Sequence, residues 1–412
     1  MNQSLSSSLA CTVLLGMAGG CSAAAEPIEL WLTDGPRVEA IRERALAGDA
    51  ELQPAVEIAR KYGELALDMP MRSVADKPTL PPSGDPNDYV SLSPYFWPNP
   101  DTPDGLPYVR RDGEVNPERD DYDMPALDDF GRAVVRLGFA WYFTGDASYA
   151  EAAAERLEHF LVDPATRMNP RMAFGQFVPG ESEGRHYGII ETLRLRFVCE
   201  AIAMLGDSDA MTPELDRAVR RWFGDYARWL NNSEMGVAER DGDNNHATWC
   251  KAQIAYYSAF AGDHDTAADM VRRARVSLEQ QLEPDGRQPL ELARTRALDY
   301  SEFNLRAYTE LAVIGEKLGV DLWHHVGDDG QSIRRGFDFL LPYLAGRADW
   351  PYEQITDPKH DKYAQSLRRL AIAFRDPAYE KAIDRLDTDE ETRVILDLVM
   401  PLPDDFPSPA SR

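Results

Sequence analysis

The sequence predicts an all-α protein, an α/α barrel (toroid) of antiparallel helix pairs with one long loop rich in aromatic residues and proline. Apolar residues recur at helical spacing in one segment after another from about residue 124 onward. Alternating runs of β-branched residues are scarce, so we expect few strands. Gly-Asp pairs recur between the helical segments, as expected where one helix ends and an antiparallel one begins. An irregular helical bundle is the alternative.

The first 25 residues predict an export signal. They contain no Asp, Glu, Lys or Arg, and 9–19 form an apolar run that is too short to remain as a membrane-spanning helix. Small residues at 22–25 suit cleavage before Glu26. The sequence before Cys21 also resembles a bacterial lipoprotein box, which would place a lipid anchor on Cys21. We therefore predict a signal peptide at 1–25, a single domain at 26–412, and a periplasmic or outer-membrane-anchored protein.

The charge balance limits the possible partners. The formal net charge of −26 argues against binding to nucleic acid, whose phosphates need a basic surface. An anionic substrate would also be repelled by the overall field, so any cleft that binds one must be locally basic. Arginines do collect in one central stretch of the chain: Arg167, Arg171, Arg185, Arg194 and Arg196. We expect a monomer without a transmembrane segment after the signal.

Residues 77–125 differ from the rest of the chain because they are rich in proline, glycine, aspartate and aromatic residues. Disordered segments are poor in aromatic residues, and a long loop in a compact domain is usually functional. Its rings either stack on the apolar faces of sugars or fasten the loop to the barrel, and both interpretations stay open. The aromatic residues are Tyr89, Tyr95, Phe96, Trp97, Tyr108 and Tyr122.

Helical periodicity predicts ten segments in the remainder of the chain. They are 126–142, 148–161, 189–205, 213–230, 246–260, 265–281, 300–318, 332–345, 363–375 and 390–399. Three junctions contain Gly-Asp, at 145–146, 206–207 and 262–263. In each we expect the glycine to adopt a left-handed conformation after a helix and the aspartate to cap the next helix.

Two polar clusters carry candidate chemistry. Residues 243–249 (DNNHATW) open a predicted helix and contain Asn245 and His246, and an Asn side chain offers both a donor and an acceptor. Residues 291–300 (ELARTRALDY) contain Arg294 and Tyr300 and follow a loop, where catalytic groups of barrels often lie. A capped helix start and a solvated arginine face are the structural alternatives for these clusters.

Several motifs together resemble the alginate-lyase family of polysaccharide lyases, in the branch that includes glucuronan and mannuronate-specific alginate lyases. The resemblance spans roughly residues 80–310. The motifs are 83–85 (SGD), 88–98 (DYVSLSPYFWP), 104–113 (DGLPYVRRDG), 116–118 (NPE), 163–170 (DPATRMNP), 179–180 (PG), 184–185 (GR) and the two polar clusters. Ala247 and Cys250 stand where the family often has Gly and Tyr, which leaves the exact substrate open.

The resemblance implies an α/α barrel, no metal or other cofactor in catalysis, and Asn245, His246, Arg294 and Tyr300 as the catalytic set. Lyases of this kind act by β-elimination, removing the proton at C5 of a uronate and expelling the oxygen at C4. Arg294 and Asn245 suit neutralisation of the uronate carboxylate. Tyr300 suits both base and acid in a syn elimination, provided that Arg294 and His246 favour its phenolate. In a guluronate polymer, His246 could instead be the base.

Other residues are candidates for substrate binding. Gln176 and Arg185 flank the Pro-Gly motif and could bind hydroxyls or carboxylates, and Arg296 could do the same or pair with Glu291. Aromatic candidates for stacking on sugars are Tyr89, Tyr95, Trp97 and Trp249, although Trp249 is as easily a packing residue behind the site. We expect the partner to be an acidic polysaccharide.

Two rival functions follow from the same residues. A glycoside hydrolase on this architecture would need two carboxylates across the scissile bond, for which Asp243, Glu181, Glu183 and Glu291 are candidates. A surface glycan-binding lipoprotein would explain the aromatic loop and a lipidated Cys21, but it would not need the set of Asn245, His246, Arg294 and Tyr300.

Overall fold

A computed structural model describes residues 28–407, and the predicted export signal with Cys21 lies outside this range. The helices of the described part are α1 Gly35–Leu46, α2 Gln53–Leu67, α3 Met124–Thr144, α4 Ala147–Leu157, α5 Leu195–Met204, α6 Pro213–Asn232, α7 Glu234–Arg240, α8 Asn245–Phe260, α9 His264–Gln281, α10 Pro289–Leu292, α11 Ala297–Lys317, α12 Ile333–Leu344, α13 His360–Phe374, α14 Pro377–Ile383 and α15 Glu390–Val399. The strands are β1 Val90–Leu92, β2 Phe96–Trp97, β3 Val109–Arg110 and β4 Phe174–Phe177.

The all-α prediction is confirmed, and all ten predicted segments contain helix. The segment predicted at 189–205 begins as a 3₁₀-helix, His186–Arg194, and continues as α5. Helices α1, α2, α7, α10 and α14 were not predicted. Within the described residues, no helix has both the length and the apolar character needed to cross a bilayer.

Two of the three predicted Gly-Asp junctions are confirmed. Gly145 and Gly262 adopt positive φ angles after α3 and α8, and the aspartates that follow them cap α4 and α9. The third prediction, at 206–207, is wrong. Thr212 caps α6 instead, and Asp207 forms an ion pair of 3.3 Å with Arg42. The turn residues 208–211 lie between Asp207 and Thr212, so Asp207 is too far from the start of α6 to cap it.

The helices pack in a ring. Successive contacts join α2 to α3, α3 to α5, α5 to α8, α8 to α11 and α11 to α13. Helix α15 then packs against α1 and α2, and Arg368 of α13 binds Asp397 and the Met400 carbonyl at the end of α15. The helix near the middle of this path, α8, is buried on every face except at His246. Polar groups at its N-terminus are therefore held by a rigid element.

The aromatic loop is anchored to the ring by short strand pairings. Strand β1 pairs in parallel with β4, and β2 pairs with β3 in antiparallel fashion. Asp88 and Arg171 add an ion pair with N–O distances of 2.5 and 2.6 Å. The loop is thus an ordered cover on one end of the helical ring.

Glu200 ties the chain before α1 to the centre of the ring, which predicts a loss of stability when it is replaced. Its buried carboxylate accepts hydrogen bonds from the backbone N–H groups of Trp31 (2.7 Å) and Leu32 (3.2 Å) and from the Tyr256 hydroxyl. We expect Glu200→Ala to lower the free energy of unfolding by about 3 kcal/mol, because these buried donors lose their acceptor.

Urea unfolding at equilibrium measures this change, with Glu200→Gln as the control. The amide keeps one acceptor oxygen, so its loss should be smaller. An equal decrease in the free energy of unfolding in the two variants, or no decrease in Glu200→Ala, would contradict the role of Glu200 as a stabilising hydrogen-bond acceptor.

Candidate active site

One large cleft of about 710 Å³ opens at the end of the ring that the aromatic loop covers. Its volume lies within the range of ligand-binding pockets, roughly 300–1,000 Å³. The walls come from the aromatic loop, the 3₁₀-helix His186–Arg194, the N-terminus of α8 and helix α11. All four predicted catalytic residues line it: Asn245, His246, Arg294 and Tyr300.

Asn245 is fixed by the buried carboxylate of Glu291 in α10. Glu291 accepts hydrogen bonds from the Asn245 backbone N–H at 2.8 Å and from its Nδ2 at 2.7 Å. Burial raises the pKa of Glu291 above its usual range, while the hydrogen bonds from Asn245 oppose this shift. The Asn245 Oδ1 is buried without a hydrogen-bonding partner among the described residues. The amide therefore offers an acceptor that a bound ligand could satisfy.

His246 follows directly and shares a carboxylate with a second histidine. Glu239, at the end of α7, lies 2.7 Å from Nδ1 of His246 and 2.7 Å from Nδ1 of His186. Burial would raise the pKa of Glu239, but the charge of His246 and hydrogen bonds from both imidazoles lower it below its usual range. An ionised Glu239 favours the tautomers that carry a proton on Nδ1, which leaves Nε2 of each ring for other partners.

Arg294 is held in place by Asp112 of the aromatic loop. Its Nε and Nη2 donate to the two carboxylate oxygens at 3.1 and 2.8 Å. Although burial opposes it, this pairing lowers the pKa of Asp112 to about 2. Gly113 allows the close approach of the two segments, because a Cβ there would lie 2.6 Å from the Thr295 hydroxyl. Since Asp112 takes two of its nitrogens, Arg294 has Nη1 left for a ligand.

Tyr300 lies against both Arg294 and the aromatic loop. The Arg294 guanidinium is 3.8 Å from the centre of its ring, and its hydroxyl is 2.9 Å from the hydroxyl of Tyr95. Burial and Tyr95 raise the pKa of Tyr300 above its usual range, and the opposing effect of Arg294 is smaller. Arg294 thus favours the phenolate, as expected, but desolvation of the phenolate outweighs this attraction and the pKa of Tyr300 is raised overall.

Gln176 and Arg185, which the sequence offered as candidates for substrate binding, also line the cleft. Gln176 has a φ of 49°, which is unusual for a residue with a side chain, and its backbone N–H donates to the Ser91 hydroxyl at 2.8 Å. The Arg185 guanidinium lies 4.5 Å from the ring centre of Tyr187 and 5.0 Å from that of Phe96. Both polar side chains are thus positioned by the loop and its neighbours.

Arg296 lines the cleft but does not pair with Glu291, which binds Asn245 instead. Arg296 donates to the Gly113 carbonyl and so fastens the aromatic loop next to Arg294. Arg296 therefore helps to hold the aromatic loop against the cleft.

The structure corrects the aromatic candidates. Tyr95 and Trp249 line the cleft, whereas Tyr89 and Trp97 do not. Tyr89 is completely buried and donates to Glu191 at 2.9 Å, so the prediction that it binds substrate is wrong.

The two tryptophan candidates also occupy different positions. Trp97 does not reach the cleft, because its indole N–H donates to the Glu114 carbonyl and the Arg111 guanidinium lies over its ring. Trp249 is almost fully buried, with the guanidinium of Arg196 4.6 Å from its ring centre, so it forms the wall behind the cleft.

Glu239 and Asp112 are the main site residues that sequence reasoning missed. Glu239 lies in the short helix α7, which has no periodic apolar pattern long enough to detect. Asp112 belongs to the motif at 104–113, which resembles the alginate-lyase family. This motif was the one feature of the sequence that could have indicated a role for Asp112. Asp112 is 182 residues from Arg294 along the chain. Glu239 is only seven residues from His246 but lies in a separate helix, so spacing alone reveals neither carboxylate.

The rival hydrolase candidates do not form a pair across the cleft. Asp243 lines it, but Glu291 is taken up by Asn245, and Glu181 and Glu183 are not among the lining residues. Within residues 28–407, no three His, Cys, Asp or Glu side chains are grouped as metal ligands would be.

Comparison with known proteins identifies the family. The Alginate lyase family profile matches residues 73–350. A solved alginate lyase from Bacteroides ovatus is 34% identical, with a TM-score of 0.86 over 90% of this chain and 99% of that one. A search of curated proteins gave no match.

Two more distant structures share the fold. A histidine-to-alanine variant of alginate lyase A1-III, complexed with a tetrasaccharide, is 17% identical with a TM-score of 0.58 over 92% of this chain and 98% of that one. Alginate lyase A1-III from Sphingomonas species A1 is 17% identical with a TM-score of 0.50 over 89% and 95%. The family match and the cleft geometry agree, and the chain belongs to the alginate-lyase family of polysaccharide lyases.

Proposed function

We propose that this protein cleaves a polyuronate, mannuronate-rich alginate or glucuronan, by β-elimination and leaves 4,5-unsaturated uronate ends. The observation that carries the proposal is the meeting of Asn245, His246, Arg294 and Tyr300 in one cleft. These residues come from two segments of the chain that are separated by α9, and only the fold brings them together.

The first requirement of the reaction is to stabilise the charge that develops on the substrate carboxylate when C5 loses its proton. Arg294 supplies a fixed positive charge, because Asp112 holds its guanidinium in one orientation. Asn245 supplies an acceptor, since Glu291 takes its Nδ2. An acceptor at this position suits a carboxyl group that has become protonated, or the hydroxyl of an enediol-like intermediate.

The second requirement is a base at C5 and an acid at the C4 oxygen. In mannuronate and glucuronate, the C5 hydrogen and the C4 oxygen lie on the same side of the ring, so one residue can serve both. Tyr300 takes this role: its phenolate accepts the C5 proton and becomes a neutral phenol, which then gives that proton to the leaving C4 oxygen and is a phenolate again. His246 lines the same cleft and orients the carboxylate or Tyr300 through Nε2, while Glu239 fixes its ring.

The comparisons support the polyuronate assignment. The Bacteroides ovatus protein is described as an alginate lyase, and the A1-III variant binds a tetrasaccharide in a protein of the same fold. We also propose that this chain works outside the cytoplasm, in the periplasm or anchored to the outer membrane, because residues 1–25 have the composition of an export signal.

Replacing Tyr300 tests the elimination directly. Purified protein is mixed in turn with polymannuronate, polyguluronate, glucuronan and hyaluronan, and the ultraviolet absorbance of the unsaturated uronate is followed. We expect absorbance to rise with polymannuronate or glucuronan. Tyr300→Phe should lower the rate by about 10²–10⁴-fold, because the phenol oxygen is both base and acid.

The control for this experiment is Tyr343→Phe, which removes a phenol oxygen at a position outside the cleft. It should leave the rate unchanged. New reducing ends without absorbance on any polymer would replace elimination with hydrolysis, and binding without any cleavage would favour a glycan-binding protein.

The raised pKa of Tyr300 predicts an alkaline limb in the rate profile. A base with a raised pKa is mostly protonated at neutral pH, so its active fraction grows as pH rises. We expect kcat/KM, which reports the free enzyme, to increase up to about ten-fold per pH unit between about pH 7 and pH 10. Tyr95→Phe removes a neighbour that raises this pKa and should move the limb to lower pH.

Initial rates across this pH range provide the measurement, with wild-type protein at each pH as the reference. A flat profile between neutral and alkaline pH would mean that Tyr300 is not the base and would point to His246. An unchanged limb in Tyr95→Phe would show that Tyr95 does not set the proton affinity of Tyr300.

The shared carboxylate predicts that Glu239→Gln impairs His246. A neutral amide cannot accept hydrogen bonds from both imidazoles with two oxygens, so the Nδ1–H tautomer of His246 loses its support. We expect kcat to fall by about 10²-fold, with a change in the ¹⁵N chemical shifts of the imidazole nitrogens. Glu234→Gln at the other end of α7 serves as the control. Retention of kcat and of the tautomer would contradict a positioning role for Glu239.

A further inference from the structure

The cleft continues past Trp249 into a region lined by positively charged side chains. These are Arg196 of α5, Arg306 of α11, Lys359 before α13 and Lys362 in α13, which we call the distal basic compartment. None of them belongs to the catalytic set. They contrast with the net charge of −26 for the whole sequence.

The arginines of this compartment are held against Trp249. The guanidinium groups of Arg196 and Arg306 lie 4.6 and 5.7 Å from the centre of its ring. Arg196 also binds Glu310 with N–O distances of 2.6 and 3.0 Å. A fixed aromatic wall and a buried carboxylate thus keep the guanidinium groups in one place, as a preformed binding site requires.

The carboxylates in this region do not balance the cations. Glu310 is shared between Arg196 and Arg369, which lies 3.5 Å away. Glu302 lies 3.8 Å from Arg306 and also accepts a hydrogen bond from Ser366 at 2.6 Å. The third carboxylate, Asp299, binds the Tyr363 hydroxyl and the backbone N–H of Lys359 rather than a charged side chain.

Two further observations indicate unused capacity for an anion. Within residues 28–407, the side chains of Lys359 and Lys362 form no ion pair, although both line the cleft. The Nε of Arg306 is buried without a hydrogen-bonding partner in the same range. Arg and Lys side chains only donate hydrogen bonds, so a ligand that satisfies them must supply acceptors.

We propose that the distal basic compartment is a subsite that binds the carboxylate of a uronate unit away from the scissile bond. This inference rests on the proposed function, since a polyuronate carries one carboxylate on every sugar. A guanidinium fork matches a carboxylate better than it matches a hydroxyl. Substrate binding would then depend on the carboxylate of a second uronate unit as well as on the carboxylate of the unit that is cleaved.

Binding to an inactive background tests this subsite without turnover. Tyr300→Phe is combined with Lys362→Gln or with Arg306→Gln, and the Kd for a mannuronate octasaccharide is measured by calorimetry. Each added substitution should raise the Kd by about ten-fold. A carboxyl-reduced octasaccharide, which is neutral, should bind equally to all variants.

Matched controls remove the same charges elsewhere. Lys381→Gln in α14 and Arg272→Gln in α9 lie outside the cleft and should leave the Kd unchanged. Lys362 is exposed, so its variant keeps the test valid if Arg306→Gln fails to fold. In the active protein, Lys362→Gln should raise KM on polymannuronate and leave kcat unchanged.

The outcomes separate this inference from the proposed function. A normal release of unsaturated product with an unchanged Kd in both variants would overturn the subsite and leave the lyase function standing. A loss of kcat with unchanged KM in Lys362→Gln would also overturn it, because the residue would then act at the reacting centre. A weakened Kd without any unsaturated product would support the subsite and reject the elimination.

Discussion

The hydrogen bonds between Glu291 and Asn245 are the constraint on which the rest of the site depends. Helix α8 is buried almost throughout, so its N-terminus cannot move without disturbing the core. Glu291 receives both the backbone N–H and the side-chain N–H of the first residue of this helix. Arg294 follows Glu291 after a short turn, so the same carboxylate fixes the backbone of Arg294 relative to Asn245 and His246, while Asp112 fixes its guanidinium.

Other carboxylates extend this arrangement to each functional donor. Glu239 orients two histidines, Asp112 orients Arg294, and Glu310 holds Arg196 behind Trp249. Glu239 and Asp112 each leave one nitrogen of the partner available to a ligand, namely Nε2 of His246 and Nη1 of Arg294. Carboxylates inside the site therefore fix the orientation of the neighbouring cations and hydrogen-bond donors before a ligand binds. The ligand does not have to order these groups itself.

Apolar periodicity was sufficient to predict the long helices, because it is a local signal. The motifs that resemble the alginate-lyase family were sufficient to single out Asn245, His246, Arg294 and Tyr300, which meet in one cleft. The sequence was insufficient for short helices such as α7 and α10, which lack a full period and are held by tertiary contacts. The sequence also failed to predict which aromatic side chains reach the cleft, because burial in the folded protein decides this. Tyr89 and Tyr95 belong to the same aromatic loop, yet one is buried against Glu191 and the other reaches Tyr300. The raised pKa of Tyr300 could not be predicted, since it depends on desolvation in the folded protein.

The acidic outer surface and the basic cleft act in opposite directions on a polyanion. Exposed charges act on a polymer in solution over about one Debye length, roughly 8 Å at physiological ionic strength. Over that distance the acidic surface repels a polyuronate, and salt weakens the repulsion. Inside the cleft, carboxylates and aromatic rings hold the arginines in place, and partly buried charges are screened less than exposed ones. Under the proposed function, this difference in screening would favour binding of a polyuronate in the cleft over binding on the outer surface.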